Sequence, residues 1–198
     1  ARKYRMGLPT LNKEWLTAYF AKWKGGKAAM PKRMQWDLSL LTWLATFTAI
    51  ASMGLIFQAI NDTGLAIEGQ QDLFTLAGSF GALSTLLYSL PSAPLAQPRV
   101  LLLGHVLAMC VSCAVMYPFG RGTEVWLQKA LACSITVALM AKLGFPHPPA
   151  GALTLIFTGN FNSGKSNWNI LFLAISVLMG LCISVIIAIV LNNLSRRR

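Results

Sequence analysis

The chain has 198 residues, of which 55% are apolar and only 12% charged, and its mean hydropathy is +0.57. That balance excludes an ordinary soluble domain, in which about a quarter of the residues are charged, and points to one all-α membrane domain. The net charge of +11 does not describe a nucleic-acid surface: nine of the 17 basic residues precede residue 34 and three more form Arg196-Arg197-Arg198, so positive charge flanks apolar runs, as in cytoplasmic or equivalent tails that touch anionic lipid.

In chain order, residues 1–37 read as a basic arm. Within it Leu11, Trp15, Leu16, Tyr19, Phe20 and Trp23 recur at helical spacing beside Lys13, Lys22 and Lys24, which predicts an amphipathic helix along the membrane surface or docked on a partner subunit. The chain shows no cleavable signal, and it starts at Ala1, so a targeting peptide removed upstream stays compatible with it. A transmembrane domain is expected over 38–194, and a basic tail over 195–198. Its first span covers about Leu38 to Ile60, and the loop after it holds Asp62, Glu68 and Asp72 without Lys or Arg, as on a face opposite the basic arm.

A second apolar run, about Leu73 to Leu90, contains Gly78-Ser79-Phe80-Gly81-Ala82-Leu83-Ser84. A third span runs from about Val100 to Met116, where Tyr117-Pro118-Phe119-Gly120 breaks it, and a fourth from Val125 to Leu143. Then comes Phe145-Pro146-His147-Pro148-Pro149-Ala150-Gly151-Ala152-Leu153-Thr154. Proline lacks an amide donor and clashes with the preceding turn, so Pro148 and Pro149 open a helix, expected over about Pro149 to Thr158. At that length it is a short segment inside the membrane, where irregular backbone survives only if protein buries it or it lines a wet cavity. A polar loop is expected over Gly159–Asn167, and a last span over Trp168–Leu194. Counting the short helix as a crossing gives six segments and puts both basic tails, Arg99 and Lys142 on one side.

Gly81-Ala82-Leu83-Ser84 echoes Gly151-Ala152-Leu153-Thr154. Segments one to three would then match segments four to six, giving two inverted three-segment repeats with short or broken second and fifth helices. Facing helix N-termini would make an anion site near the midplane without a buried Lys or Arg. Its residues would be Ser79, Gly81, Ser84, His147, Pro148, Pro149, Gly151 and Thr154, with His105 of the third span added as an ionisable group at depth and a carrier, with His147, of a coupling proton. Close packing of small residues, and a neutral His105 bonded to a neighbouring carbonyl, explain the same residues without a site. Gln97 and Arg99 would form a vestibule, although Arg99, like Lys129 and Lys142, sits where snorkelling is ordinary. No metal or cofactor is expected from two histidines without membrane carboxylates, and Cys110, Cys113, Cys133 and Cys182 read as packing residues. Gly159 to Ser166 matches the letters of a phosphate-binding loop but joins two membrane segments, and reads as an asparagine-rich turn.

Pro94-Leu95-Ala96-Gln97-Pro98-Arg99, Gly104-His105, Phe80-Gly81-Ala82 and above all His147-Pro148-Pro149-Ala150-Gly151-Ala152 resemble the HPP family of integral membrane proteins, over about residues 38–194. Members are usually described with about four spans. Plastid and cyanobacterial members are associated with nitrite transport, so the resemblance implies a transporter of a small monovalent anion in a plastid envelope, another chloroplast membrane, or a bacterial or cyanobacterial inner membrane. The alternative is a non-transporting subunit of a larger, photosynthetic complex. An enzyme is disfavoured by the scarcity of acids, bases and nucleophiles at depth. The partners expected are a small inorganic anion and the lipid bilayer, with a homodimer or larger membrane complex plausible for so few helices.

Overall fold

The computed structural model describes residues 13–22, 33–62, 77–120, 122–163 and 169–194. Seven α-helices follow one another in these stretches: α1 (Lys13–Lys22), α2 (Trp36–Asp62), α3 (Ala77–Ser84), α4 (Pro98–Phe119), α5 (Val125–Leu143), α6 (Pro148–Ser163) and α7 (Asn169–Leu194). A π-helical turn, Thr85–Ser89, extends α3, and a 3-10 turn, Pro94–Ala96, precedes α4. Among the described residues there is no strand. The acidic loop after Asp62, the ends of the amphipathic arm, Gly164-Lys165-Ser166 and the tail 195–198 lie outside the described residues.

The chain divides into two units, Ala1–Met34 and Gln35–Arg198. The first contains α1, on which Leu16 and Phe20, four residues apart and so on one face, are exposed. The second contains the bundle. Among its described residues, four stretches are long and apolar enough to cross a membrane: Trp36–Ile60, Pro98–Phe119, Val125–Leu143 and Leu173–Leu194. Their buried residues recur at three- and four-residue steps, as in Ala45, Ala49, Met53 and Phe57 of α2 or Gln128, Ala132, Thr136 and Met140 of α5. Their outward faces are equally apolar: Trp43, Phe47, Leu55, Ile186 and Val190 are more than half exposed, the pattern of helices whose outer solvent is lipid.

Two helices differ from this pattern. In the described part of the run expected as one apolar segment over 73–90, Ala77–Ser84 is α-helical and the backbone then widens into the π turn. α6 is longer than the expected Pro149–Thr158: it starts at Pro148 and continues to Ser163, about 24 Å at 1.5 Å per residue. Gly159–Ser163 is therefore helix and not the start of a polar loop, which removes the backbone a phosphate loop would need. α4 ends within Tyr117-Pro118-Phe119-Gly120, as expected, with Pro118 accommodated in its last turn. The proline lies one residue from the end, and Gly120, at φ 72°, closes the helix through its N–H to the Met116 carbonyl.

The π turn frees carbonyls that water cannot satisfy at membrane depth, and side chains of two flanking helices take them. Asn192 Nδ2 of α7 donates to the Leu87 carbonyl at 2.9 Å, and Thr42 Oγ1 of α2 lies 3.0 Å from that of Tyr88. The Tyr88 hydroxyl itself donates to the Ser184 carbonyl at 3.0 Å. α3 packs between α2, α6 and α7, and its Phe80 fits a gap that only a glycine leaves: a Cβ on Gly180 of α7 would sit 2.5 Å from Phe80 Cζ. Gly180→Ala is expected to destabilise the protein by about 1–3 kcal/mol through overpacking. Adding Phe80→Leu should restore most of the loss, measured by thermal unfolding in detergent; an unchanged melting temperature in the single variant would refute the fit.

Candidate functional site

α6 begins where chain geometry dictates. Pro148 and Pro149 occupy its first two positions, where their missing donors break no helical hydrogen bond. The next two amides, of Ala150 and Gly151, both point at the His147 carbonyl, at 3.0 and 3.4 Å. The first turn of α6 thus offers an incoming anion no uncommitted N–H: two are absent and two are used. The expectation that backbone amides at this end bind an anion fails there, and the polar groups left are side chains.

Those side chains meet at the crossing of α3, α4 and α6. Gly104 of α4 lets α6 approach so closely that a Cβ there would lie 3.0 Å from His147 Cβ and 3.3 Å from Ala150 Cβ. The next residue, His105, then faces His147, with ring centroids 5.2 Å apart and planes tilted by 59°. On the other side of His105 lies the Phe80 ring, 6.2 Å away and within 13° of parallel. His105 is 0% and His147 1% exposed, so both imidazoles are sealed from either face.

The hydrogen bonding of the pair is incomplete. His105 Nδ1 lies 2.9 Å from the Leu101 carbonyl; a carbonyl only accepts, so Nδ1 carries the hydrogen and Nε2 keeps its lone pair. That Nε2 has no partner, and neither nitrogen of His147 meets hydrogen-bond geometry, although the Leu95 backbone is close to the ring. Unpaired polar atoms in a protein interior are costly, so a cluster of them calls for a physical account.

Of the other expected residues, Ser79, Ser84, Pro149, Gly151 and Thr154 are buried in the bundle. Thr154 Oγ1 donates to the Gly151 carbonyl at 2.6 Å, which commits its hydrogen, whereas the Ser84 hydroxyl is unpartnered. Gly81 is exposed, and a Cβ on it would meet nothing within 4 Å, so it does not line the histidine cluster; Pro148 is exposed as well. Gln97 and Arg99 are exposed at the start of α4, next to the 3-10 turn that carries Leu95. The first described turn of α3 does not lie beside the start of α6. A Cβ on Gly78 would touch Ile156 Cδ1 at 3.2 Å, which sets that end of α3 beside the middle of α6.

Sequence reasoning passed over two features. Ser112, seven residues after His105 and so on the same face of α4, is buried with an unpartnered hydroxyl, as are Thr136 and Thr158. The second is a polar knot at the far end of α6. Gln128 Nε2 donates to the Gly120 and Thr123 carbonyls at 2.9 and 2.6 Å, its Oε1 accepts from Asn162 at 3.0 Å, and Asn162 Oδ1 accepts the Gly122 amide at 2.8 Å. A lone glutamine in the apolar run 125–143 was the available signal. Among the described residues no group of three or more His, Cys, Asp or Glu is placed to hold a metal, and all four cysteines are free.

The profile of the HPP transmembrane region matches residues 31–198. The chain belongs to the HPP family. Two curated relatives from Dictyostelium discoideum, each described as a transmembrane protein, are 32% identical over 200 residues and 31% identical over 191. This HPP chain is covered to 100% and 94% in those alignments, but it spans only 66% and 57% of the relatives' own lengths. No solved structure matches it. As an HPP protein it is an integral membrane protein, in accord with its apolar helices.

The contact through Gly104 is rigid on both sides, backbone-proximal Cβ against Cβ. Gly104→Ala is therefore expected to force α4 and α6 apart by a few tenths of an ångström and cost about 1–3 kcal/mol. A melting temperature equal to that of the wild type would show that the two helices have slack.

Proposed function

We propose that this HPP protein is a membrane transporter of a small monovalent anion, most simply nitrite, and that the carried ion binds between His105, His147 and the start of α6. The single observation that carries the reading is a sealed pair of imidazoles with three uncommitted ring nitrogens in the middle of the bundle. A protein that used these helices only for packing would gain by replacing both histidines with apolar residues, since unpaired buried polar groups each cost about 1–3 kcal/mol. The positive end of the α6 dipole adds to the field at His147 even with its amides spent. Because the rings are sealed, loading and release require a movement that opens them to one face at a time.

The architecture that would provide such a movement is a pair of inverted repeats, α2–α3–α4 and α5–α6–α7, with all six helices contributing to the crossing. Several pairings support it. α3 packs on α6 and α4 on α7, as elements exchanged by a two-fold axis do, and α2 packs on α3 and α7 as α5 packs on α6 and α4. Gly180 of α7 receives Phe80, and Gly104 of α4 receives Ala150; Phe80 and Ala150 stand at the same place before the echoed Gly-Ala-Leu-Ser and Gly-Ala-Leu-Thr. In this reading the arm around α1 lies along the lipid surface.

A second reading, a non-transporting subunit of a larger membrane assembly, is favoured by a groove of about 1030 Å³ along the outer face of α2, lined by Trp43, Phe47, Leu55, Gln58 and Asp62 among others. Uptake of nitrite into liposomes containing the purified protein separates the two. His147→Ala is expected to lower uptake at least about tenfold, the equivalent of one lost hydrogen bond to a charged group, while leaving the fold's melting temperature near that of the wild type. Unchanged uptake removes the histidine from the path, and no uptake by the wild type turns the reading to the subunit.

A further inference from the structure

The described interior of the bundle contains imidazoles and hydroxyls but no Lys, Arg, Asp or Glu. This holds for each element packed around the pair. α3, α6 and α7 carry no charged residue in Ala77–Ser84, Pro148–Ser163 or Asn169–Leu194. On α4, Arg99 and Cys110 are exposed and Cys113 is half-buried. On α5, Lys142 is exposed, Cys133 rests its sulfur on the Gly151 carbonyl, and Lys129 lies against Gly159, 12 residues along α6 from His147 and so about 18 Å away by helical rise. The π turn offers Tyr88, whose hydroxyl is bonded to α7, and the acids of α2, Asp37 and Asp62, are exposed at its two ends.

An anion drawn into this place leaves its water without meeting a fixed cation, and uncompensated burial of a charge costs several kcal/mol. The one positive charge the site can acquire is a proton. The acceptor is ready in place: with Nδ1–H of His105 directed to Leu101, its Nε2 lone pair is free, and a neutral His147 keeps one lone-pair nitrogen of its own. Once protonated, Nε2 becomes a charge-assisted donor for the anion. At a ring separation of 5.2 Å, a second proton would be repelled by the first, so the pair holds one.

We propose that the site accepts a monovalent oxyanion only together with a single proton held on the His105–His147 pair, so that each cycle moves one anion and one proton in the same direction and no net charge. This rests on the transport reading given above. The proton enters at Nε2 of His105 or a nitrogen of His147 from the side that supplies the anion, and leaves with it on the other side. The neutral, unloaded pair is then free to return.

The test uses liposomes containing the whole chain, nitrite as the probe, and potassium with valinomycin to set the membrane potential. Protein-free liposomes give the background leak of nitrous acid. At zero potential, an inward proton gradient should drive nitrite accumulation, approaching about tenfold per pH unit for a one-to-one couple. A potassium diffusion potential of either sign should leave the initial rate and the accumulation unchanged. Accumulation that follows the potential overturns the one-to-one balance while leaving transport standing; uptake no greater than in protein-free liposomes overturns the transport reading and this inference with it. The double variant His105→Gln/His147→Gln keeps donors at both places but cannot titrate, and is expected to lose the response to the proton gradient above the protein-free leak. A folded double variant that still takes up nitrite in response to pH faster than protein-free liposomes overturns the assignment, and if that variant does not fold, the measurement on the wild type still decides.

Discussion

The close approach of helices at two glycines sets the geometry of the described interior, where two imidazoles meet with no Lys, Arg, Asp or Glu beside them. The size of each neighbour decides the contact. Gly104 brings α4 against α6, so that His105 and His147 stand ring to ring, and Gly180 gives Phe80 room to lie flat against His105. Helices in lipid gain little from hydrophobic burial against one another, so close approach at small residues has to supply the attraction. Here the close contacts and the polar pair fall on the same layer of the bundle, and loosening one disturbs the other.

The double proline acts in two ways. As a helix start it fixes where α6 begins and leaves the His147 carbonyl to accept the first amides. As a pair of residues without N–H it takes away the donors that a helix N-terminus ordinarily offers an anion. In the proposed transport, recognition then falls to side chains and not to backbone, which makes the protonation state of the imidazoles central to it.

Much of this was legible in the residues. Apolar run lengths placed α2, α4, α5 and α7 to within a few residues, because lipid demands long uninterrupted helices. The proline pair located the start of α6, and its register with His105 was foreshadowed by a histidine in an otherwise apolar span. The ends of short helices were harder. Asn160 and Asn162 read as turn residues, yet Asn162 is held in helix by Gln128 and Gly122, partners 34 and 40 residues away. Phe80 and Gly180 lie 100 positions apart, and only their packing reveals that the glycine answers the ring. Gly81 matched Gly151 in letters, but the two face different surroundings, one exposed and the other buried.

The ties on the π turn limit how the bundle can move. Thr42, Asn192 and Ser184 belong to two different helices, and all three engage the five-residue stretch that ends the α3 segment. Sliding α3 alone would strand its carbonyls and the Tyr88 hydroxyl in hydrocarbon without partners. In the proposed transport, opening of the histidine layer would therefore swing α2, the α3 segment and α7 as one lever, with the seam against α4, α5 and α6 as the line along which it parts.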